Sequence, residues 1–190
     1  MISTKGLEGV IALESELSLV EGQTGQLIYR GYLIHDLAEN TSFEEVAYLL
    51  WNGDLPNAEQ LAELNRELQA ERTIPPEVYS LLRNTPVEAD PSSVMRTAVS
   101  QLGLFDPDAL EHSHEANYRK AIKLTAKMLT ILAAFDRIRK GLDPIEPTGE
   151  GSLAREFLYM LNGEEPGETA VKTFDLCLIL HADHGLNAST

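Results

Sequence analysis

From Ile34 onward the chain alternates helix-start signals, short apolar faces and helix-stop signals, and this punctuation restricts what it can fold into. Ser42 with Glu45, and Asn57 with Gln60, have the spacing of capping boxes, in which side chain and backbone satisfy each other's free groups. The first precedes Phe43, Val46, Ala47, Leu49 and Leu50 and is closed by Asn52-Gly53; the second precedes Leu61, Leu64 and Leu68. Pro75-Pro76 opens a helix through Val78, Leu81 and Leu82, because proline suits a first turn. Asp90-Pro91 opens another, through Val94, Met95, Ala98, Val99 and Leu102, ended by Gly103. Glu115 to Lys140 reads as one long helix stopped by Gly141, apolar on almost every face between Ile122 and Phe135. Such a helix has to be wrapped on several sides or lie in a subunit interface. After the proline-rich linker Asp143 to Pro147, Ser152 to Asn162 forms a further helix with Leu153, Phe157, Leu158 and Leu161 inward.

Only residues 6 to 34 read as β. Val10 to Leu13 and Leu17 to Val20 carry strand-like residues, and Glu21 to Gly25 is a turn before Leu27-Ile28-Tyr29, which predicts a hairpin or a pair of small strands. The glycines here lack the strand-loop-helix register of a phosphate loop and are turn residues. The expected organisation is mainly α: a short β segment over 1–34 and a multi-helical domain over 35–190, with no internal repeat.

Lysine and arginine total 15 against 30 acidic residues, for a net charge of -15, so nucleic acid and anionic membrane are not expected partners. The longest mostly apolar region, Met128 to Phe135, is too short to span a bilayer, and no secretory signal is apparent. The single cysteine, Cys177, lies in an apolar run with no basic neighbour, which predicts a buried structural thiol rather than a nucleophile. A soluble cytoplasmic protein is the expectation.

The last stretch holds the functional signal. Val171, Phe174, Leu176, Cys177, Ile179 and Leu180 predict a buried helix running into His181-Ala182-Asp183-His184-Gly185-Leu186-Asn187-Ala188-Ser189-Thr190. His181 and His184 are three apart and share a helical face, with Gly185 as the stop. Three readings stand for this pair: a polar pocket for a small ligand, half of a metal site, or histidines satisfied in the core. His35, His112 and His114 are expected at the surface, and Glu44-Glu45 and Glu164-Glu165 read as solvated faces.

The 181–190 stretch resembles a motif of the citrate synthase family, which includes the 2-methylcitrate synthases. Four other segments agree in order: Ile28 to Tyr32, Phe43 to Pro56, Val94 to Ser100 and Phe157 to Gly163. The resemblance implies a citrate-synthase-like large domain and the condensation of acetyl-CoA with oxaloacetate to citrate and CoA. His184 would contact oxaloacetate, with His181 and Asn187 shaping the same pocket. It also implies a homodimer or larger homo-oligomer, no metal, and no cofactor beyond acetyl-CoA as substrate.

In this family the catalytic base, the enolate donor, the substrate arginines and most of the small domain lie beyond the position of Thr190. The resemblance therefore implies no catalytic residue within residues 1–190, an incomplete large domain, and a chain inactive alone. Gly185 stands where the family often has glutamate, and Asp90-Pro91-Ser92 where a His-Pro-Met-like sequence is common. The alternatives are 2-methylcitrate formation from propionyl-CoA and a non-catalytic self-association module.

Overall fold

The computed structural model describes residues 14–183 and 185; Val10 to Leu13 of the expected β segment lie outside them. The described residues form a small antiparallel sheet followed by eight helices. Strands β1 (Ser18–Glu21), β2 (Gln26–Tyr29) and β3 (Tyr32–Leu33) lie in the order β1-β2-β3, with Leu19 opposite Ile28 and Ile28 opposite Leu33. The third strand exceeds the expected pair. It forms because Arg30 (φ 47) and Gly31 (φ 89) both take positive φ, the requirement of the tight two-residue turn whose twist matches a hairpin.

The helices are α1 (Ile34–Asn40), α2 (Phe43–Asn52), α3 (Ala58–Ala70), α4 (Pro76–Asn84), α5 (Pro91–Leu102), α6 (His114–Arg139), α7 (Leu153–Asn162) and α8 (Glu168–Leu180). Both capping boxes are formed: the Ser42 and Asn57 side chains accept from backbone N–H groups of α2 and α3, and Glu45 and Gln60 return the bond. Asp90, Ser113 and Ser152 cap α5, α6 and α7 more simply, each accepting one backbone N–H, with no bond returned.

Helix α6 organises the larger part of the core. Ile122 and Ala126 pack with Leu64 and Leu68 of α3 and Leu153 of α7. Ile131, Ala134 and Phe135 pack with α4 and α5 through Val78, Leu82, Val94 and Ala98. Ala133 meets Phe157 and Met160 of α7. The helix is thus wrapped on several sides, as its composition requires. One face stays open, where Leu124 and Met128, one turn apart, are 36% and 41% exposed.

A separate cluster positions the C-terminal end. Tyr29 of β2, Leu37 of α1, Val46, Leu49 and Leu50 of α2, and Ile179 of α8 bury one another. The expectation of a buried α8 needs correction here. Ile179 alone is fully buried in that helix, because α8 packs by one face on α1, α2 and α7 and leaves the other uncovered. Cys177 is therefore exposed, not a core thiol.

Glu44 is the second correction: it is 3% exposed, and its Oε1 accepts from the N–H of Leu153 at 2.7 Å, holding the first turn of α7. An acidic pair at a helix start looks solvated in sequence, but only Glu45 turns back to its own cap. Close by, Arg72 and Glu156 form a sealed ion pair at 2.7 Å. Arg72 also donates to the carbonyls of Glu150 (2.9 Å) and Gly151 (2.7 Å), and Glu156 accepts from the N–H groups of Thr148 (2.8 Å) and Gly149 (3.1 Å). These bonds offset much of the desolvation cost that burial imposes on both charges. They also order the segment 148–151 without regular structure of its own.

Candidate functional site at the end of α8

Helix α8 ends at Leu180, and His181 is its C-cap. His181 therefore lies past the last helical residue, and the stop comes before Gly185. His184 and Asn187 lie outside the described residues, so their place is not part of the geometry below.

What shapes the turn is a set of contacts from the N-terminal sheet. Tyr29 is fully buried, with its ring in the cluster around Ile179. Its hydroxyl donates to the Asp183 carbonyl at 3.0 Å and accepts from the Asp183 N–H at 3.3 Å. Burial raises the pKa of this hydroxyl above the ordinary tyrosine value, so it remains a neutral donor throughout the physiological range. The Asp183 carboxylate accepts from the Ser18 hydroxyl of β1 and, at 2.9 Å, from the N–H of Gly185. Asp183 is thus the anchor of the turn that follows His181.

His181 itself is exposed. Its Nδ1 lies 2.7 Å from the Cys177 carbonyl. A carbonyl only accepts, so Nδ1 carries the proton, and the neutral ring presents Nε2 as an acceptor. Donation from Nε2 to a ligand requires the charged imidazolium. Among the described residues no hydrogen bond or ion pair joins a basic side chain to residues 181–183 or 185, and no three His, Cys, Asp or Glu side chains converge as metal ligands do.

Asp175, two turns back on α8, faces inward. Both its carboxylate oxygens lie 3.3 Å from the N–H of Phe43, the first residue of α2. Partial burial, followed by repulsion from Glu44, pushes its pKa up to about 6 despite that bond. An acidic side chain therefore joins α8 to the start of α2. His35, His112 and His114 are exposed, as expected.

Sequence reasoning missed Tyr29 and Ser18 as site-shaping residues. The signal for Tyr29 was present in the Tyr29-Arg30-Gly31-Tyr32 turn, but nothing local shows that its hydroxyl reaches Asp183. An apolar cavity of about 350 Å³ lies elsewhere, among Leu102, Phe105, Leu124 and the stems of Lys123 and Lys127. Its ammonium groups are already matched, Lys123 to Asp106 at 2.7 Å and Lys127 to Glu71 at 2.6 Å.

Residues 6–190 match the protein family described as citrate synthase, C-terminal domain. The chain is 50% identical to Citrate synthase 2 of Bacillus subtilis over 191 aligned positions, covering 100% of this chain and 51% of that protein. It is 44% identical to a 2-methylcitrate synthase of Mycobacterium tuberculosis, covering 98% of this chain and 47% of the relative. Among solved structures it matches the Thermoplasma acidophilum citrate synthase in ternary complex with carboxymethyl coenzyme A and oxaloacetate. There the TM-score is 0.90 at 26% identity, covering 97% of this chain and 49% of that one.

The multi-helical fold of this chain is thus shared with that structure over the part they have in common. The chain belongs to the citrate synthase family. It spans about half the length of the curated relatives it matches.

Proposed function

We propose that this chain supplies part of an enzyme that condenses acetyl-CoA with oxaloacetate, giving citrate and CoA. The observation that carries the reading is the likeness along the whole chain to a Bacillus subtilis protein named Citrate synthase 2, at 50% identity. The solved relative with a TM-score of 0.90, which holds oxaloacetate and a coenzyme A derivative, supports the same substrate classes.

In this reading the turn after α8 forms one wall of the oxaloacetate pocket. His184 contacts the substrate, and His181 and Asn187 shape the pocket beside it. The tautomer of His181 means that its Nε2 donates to a dianion only as the imidazolium. The proton abstraction from the acetyl methyl, the stabilisation of the enolate and the clamping of two carboxylates need a base, a donor and arginines. In the proposed enzyme these come from the half of the family's length that residues 1–190 do not match. The parent is a cytoplasmic homo-oligomer; Leu104 (81% exposed), Leu124 and Met128 support covered faces outside the site.

The test is citrate formation measured by mass spectrometry. The 190-residue chain alone is expected to give none above background, and turnover at even about 1 s⁻¹ would overturn this division of labour. Joined to the unmatched half of the Bacillus subtilis relative, the chain is expected to form citrate, and His184→Ala to raise KM for oxaloacetate more than KM for acetyl-CoA. The 44% identity to a 2-methylcitrate synthase supports a second reading, with propionyl-CoA as the acyl donor. A kcat/KM for propionyl-CoA above that for acetyl-CoA would favour it.

A further inference from the structure

Strand β1 adds little to the core. Leu19 and Val20 are 53% and 55% exposed, and no β1 residue joins the apolar clusters of the described residues. One β1 side chain does reach the helical part of the molecule by a hydrogen bond. It is Ser18, whose hydroxyl donates to the Asp183 carboxylate, 165 residues further on. Ser18 stands directly opposite Tyr29 in the sheet, and opposite residues of an antiparallel pair project from the same face. The two therefore grip one residue at two places: Tyr29 holds the backbone of Asp183, and Ser18 holds its side chain.

The carboxylate oxygen that Ser18 meets, Oδ2, also accepts from the Gly185 N–H at 2.9 Å, so a bond that begins in β1 ends in the backbone beyond the turn. Bonds to an ionised acceptor are the stronger kind. Register matters as much as chemistry here. A slip of β1 by one residue would set Leu17 or Leu19 opposite Tyr29 and turn the Ser18 hydroxyl to the other face. We propose that Ser18 is a positioning residue for oxaloacetate binding, acting through Asp183 on the turn that follows His181. This role depends on that turn being one wall of the oxaloacetate pocket, as proposed above. It gives a strand without core contacts a share in substrate affinity.

The chain joined to the unmatched half of Bacillus subtilis Citrate synthase 2 tests it by calorimetry with oxaloacetate and by turnover. Ser18→Ala should weaken oxaloacetate binding and raise its KM by about fivefold or more, leaving KM for acetyl-CoA and kcat within about twofold. Ser18→Thr keeps the hydroxyl and suits a strand, so it should restore the parent values. Ser18→Ala added to Asp183→Ala should weaken binding no further than Asp183→Ala alone, because both remove the same bond. Unchanged oxaloacetate affinity in Ser18→Ala, or equal rises in both KM values, would overturn the role of Ser18 and leave the proposed reaction standing. A fusion that binds oxaloacetate without forming citrate would overturn the reaction alone, and one that binds no oxaloacetate would overturn both.

A second measurement needs neither fusion nor ligand. In the 190-residue chain, hydrogen exchange at the Gly185 amide, followed by NMR, should quicken at least about threefold in Ser18→Ala, with the Ile179 amide unchanged. No change at Gly185 would mean that Ser18 does not hold the turn. A rise at both amides would mean that it acts on the whole of α8. Either result would overturn the positioning role.

Discussion

At the joint between α3 and α7 a charged pair is sealed from water, whereas at the end of α8 a buried tyrosine holds a turn that stays open. Arg72 and Glu156 are 2% and 2% exposed and are bound on nearly every side by backbone groups of 148–151. Nothing can reach them, so their chemistry is spent on holding helices together. At the other joint only Tyr29 is sealed; Asp183 is half-buried and His181 is exposed. Burying the anchor and exposing the turn leaves side chains free to meet a ligand while their backbone is fixed. Satisfaction of polar groups alone therefore does not mark a functional site; access has to be added to it.

The comparison can be broken most sharply at the sealed joint. Glu156→Gln leaves Arg72 buried without its counter-charge and is expected to cost about 3–5 kcal/mol in urea unfolding. A cost below about 1 kcal/mol would mean that water reaches the pair. Tyr29→Phe keeps the ring in its cluster and removes only the hydroxyl. It should cost about 1–2 kcal/mol, with hydrogen exchange rising chiefly at residues 181–185. A uniform rise across α2 and α8 would show instead that the ring had repacked.

Asp175, between the two joints, gives a pH signature. Its folded-state pKa, about 6, lies above the ordinary 3.8, so the folded protein holds the proton more tightly. The stability this gives is present below the ordinary value and is lost as pH rises through about 6. Asp175→Asn keeps an acceptor for the Phe43 N–H and removes the repulsion from Glu44. It should raise stability by up to about 1 kcal/mol at pH 7 after allowance for solvent screening, and by nothing near pH 3. Thermal melts across that range would show it, and equal curves at both ends would count against the assigned cause. The smallest effect is expected for His181→Gln, within about 0.5 kcal/mol of the parent protein, because the ring is exposed. A large loss would move His181 from the open joint to the structural side of the comparison.

The helices were legible in the sequence because their start and stop chemistry is local. Ser42 with Glu45, Asn57 with Gln60 and Ser152 each declare a boundary within four residues of it. The central role of α6 followed from its composition. What could not be read was which face of a short apolar helix is covered. α8 has enough apolar residues for a core helix, yet only Ile179 is buried, and Cys177 was misplaced for that reason. Glu44 was misread for a related one: its partner is the N–H of Leu153, 109 residues away. The site stretch was recognisable from its motif, but its supports were not, since Tyr29 and Ser18 act across more than 150 residues.

The bond between the Tyr29 hydroxyl and Asp183 also sets an order of events during synthesis. The sheet, α1 and α2 leave the ribosome early, but the tyrosine hydroxyl has no Asp183 to meet until 154 further residues are made. At roughly 5–20 residues per second that interval is on the order of ten seconds or more. Throughout it, Tyr29, Val46 and Leu49 lack the Ile179 side chain that completes their cluster. The N-terminal region therefore spends its early life as a waiting half-core, dependent on chaperones or on its own solubility, and the candidate pocket cannot take shape before α8 has docked.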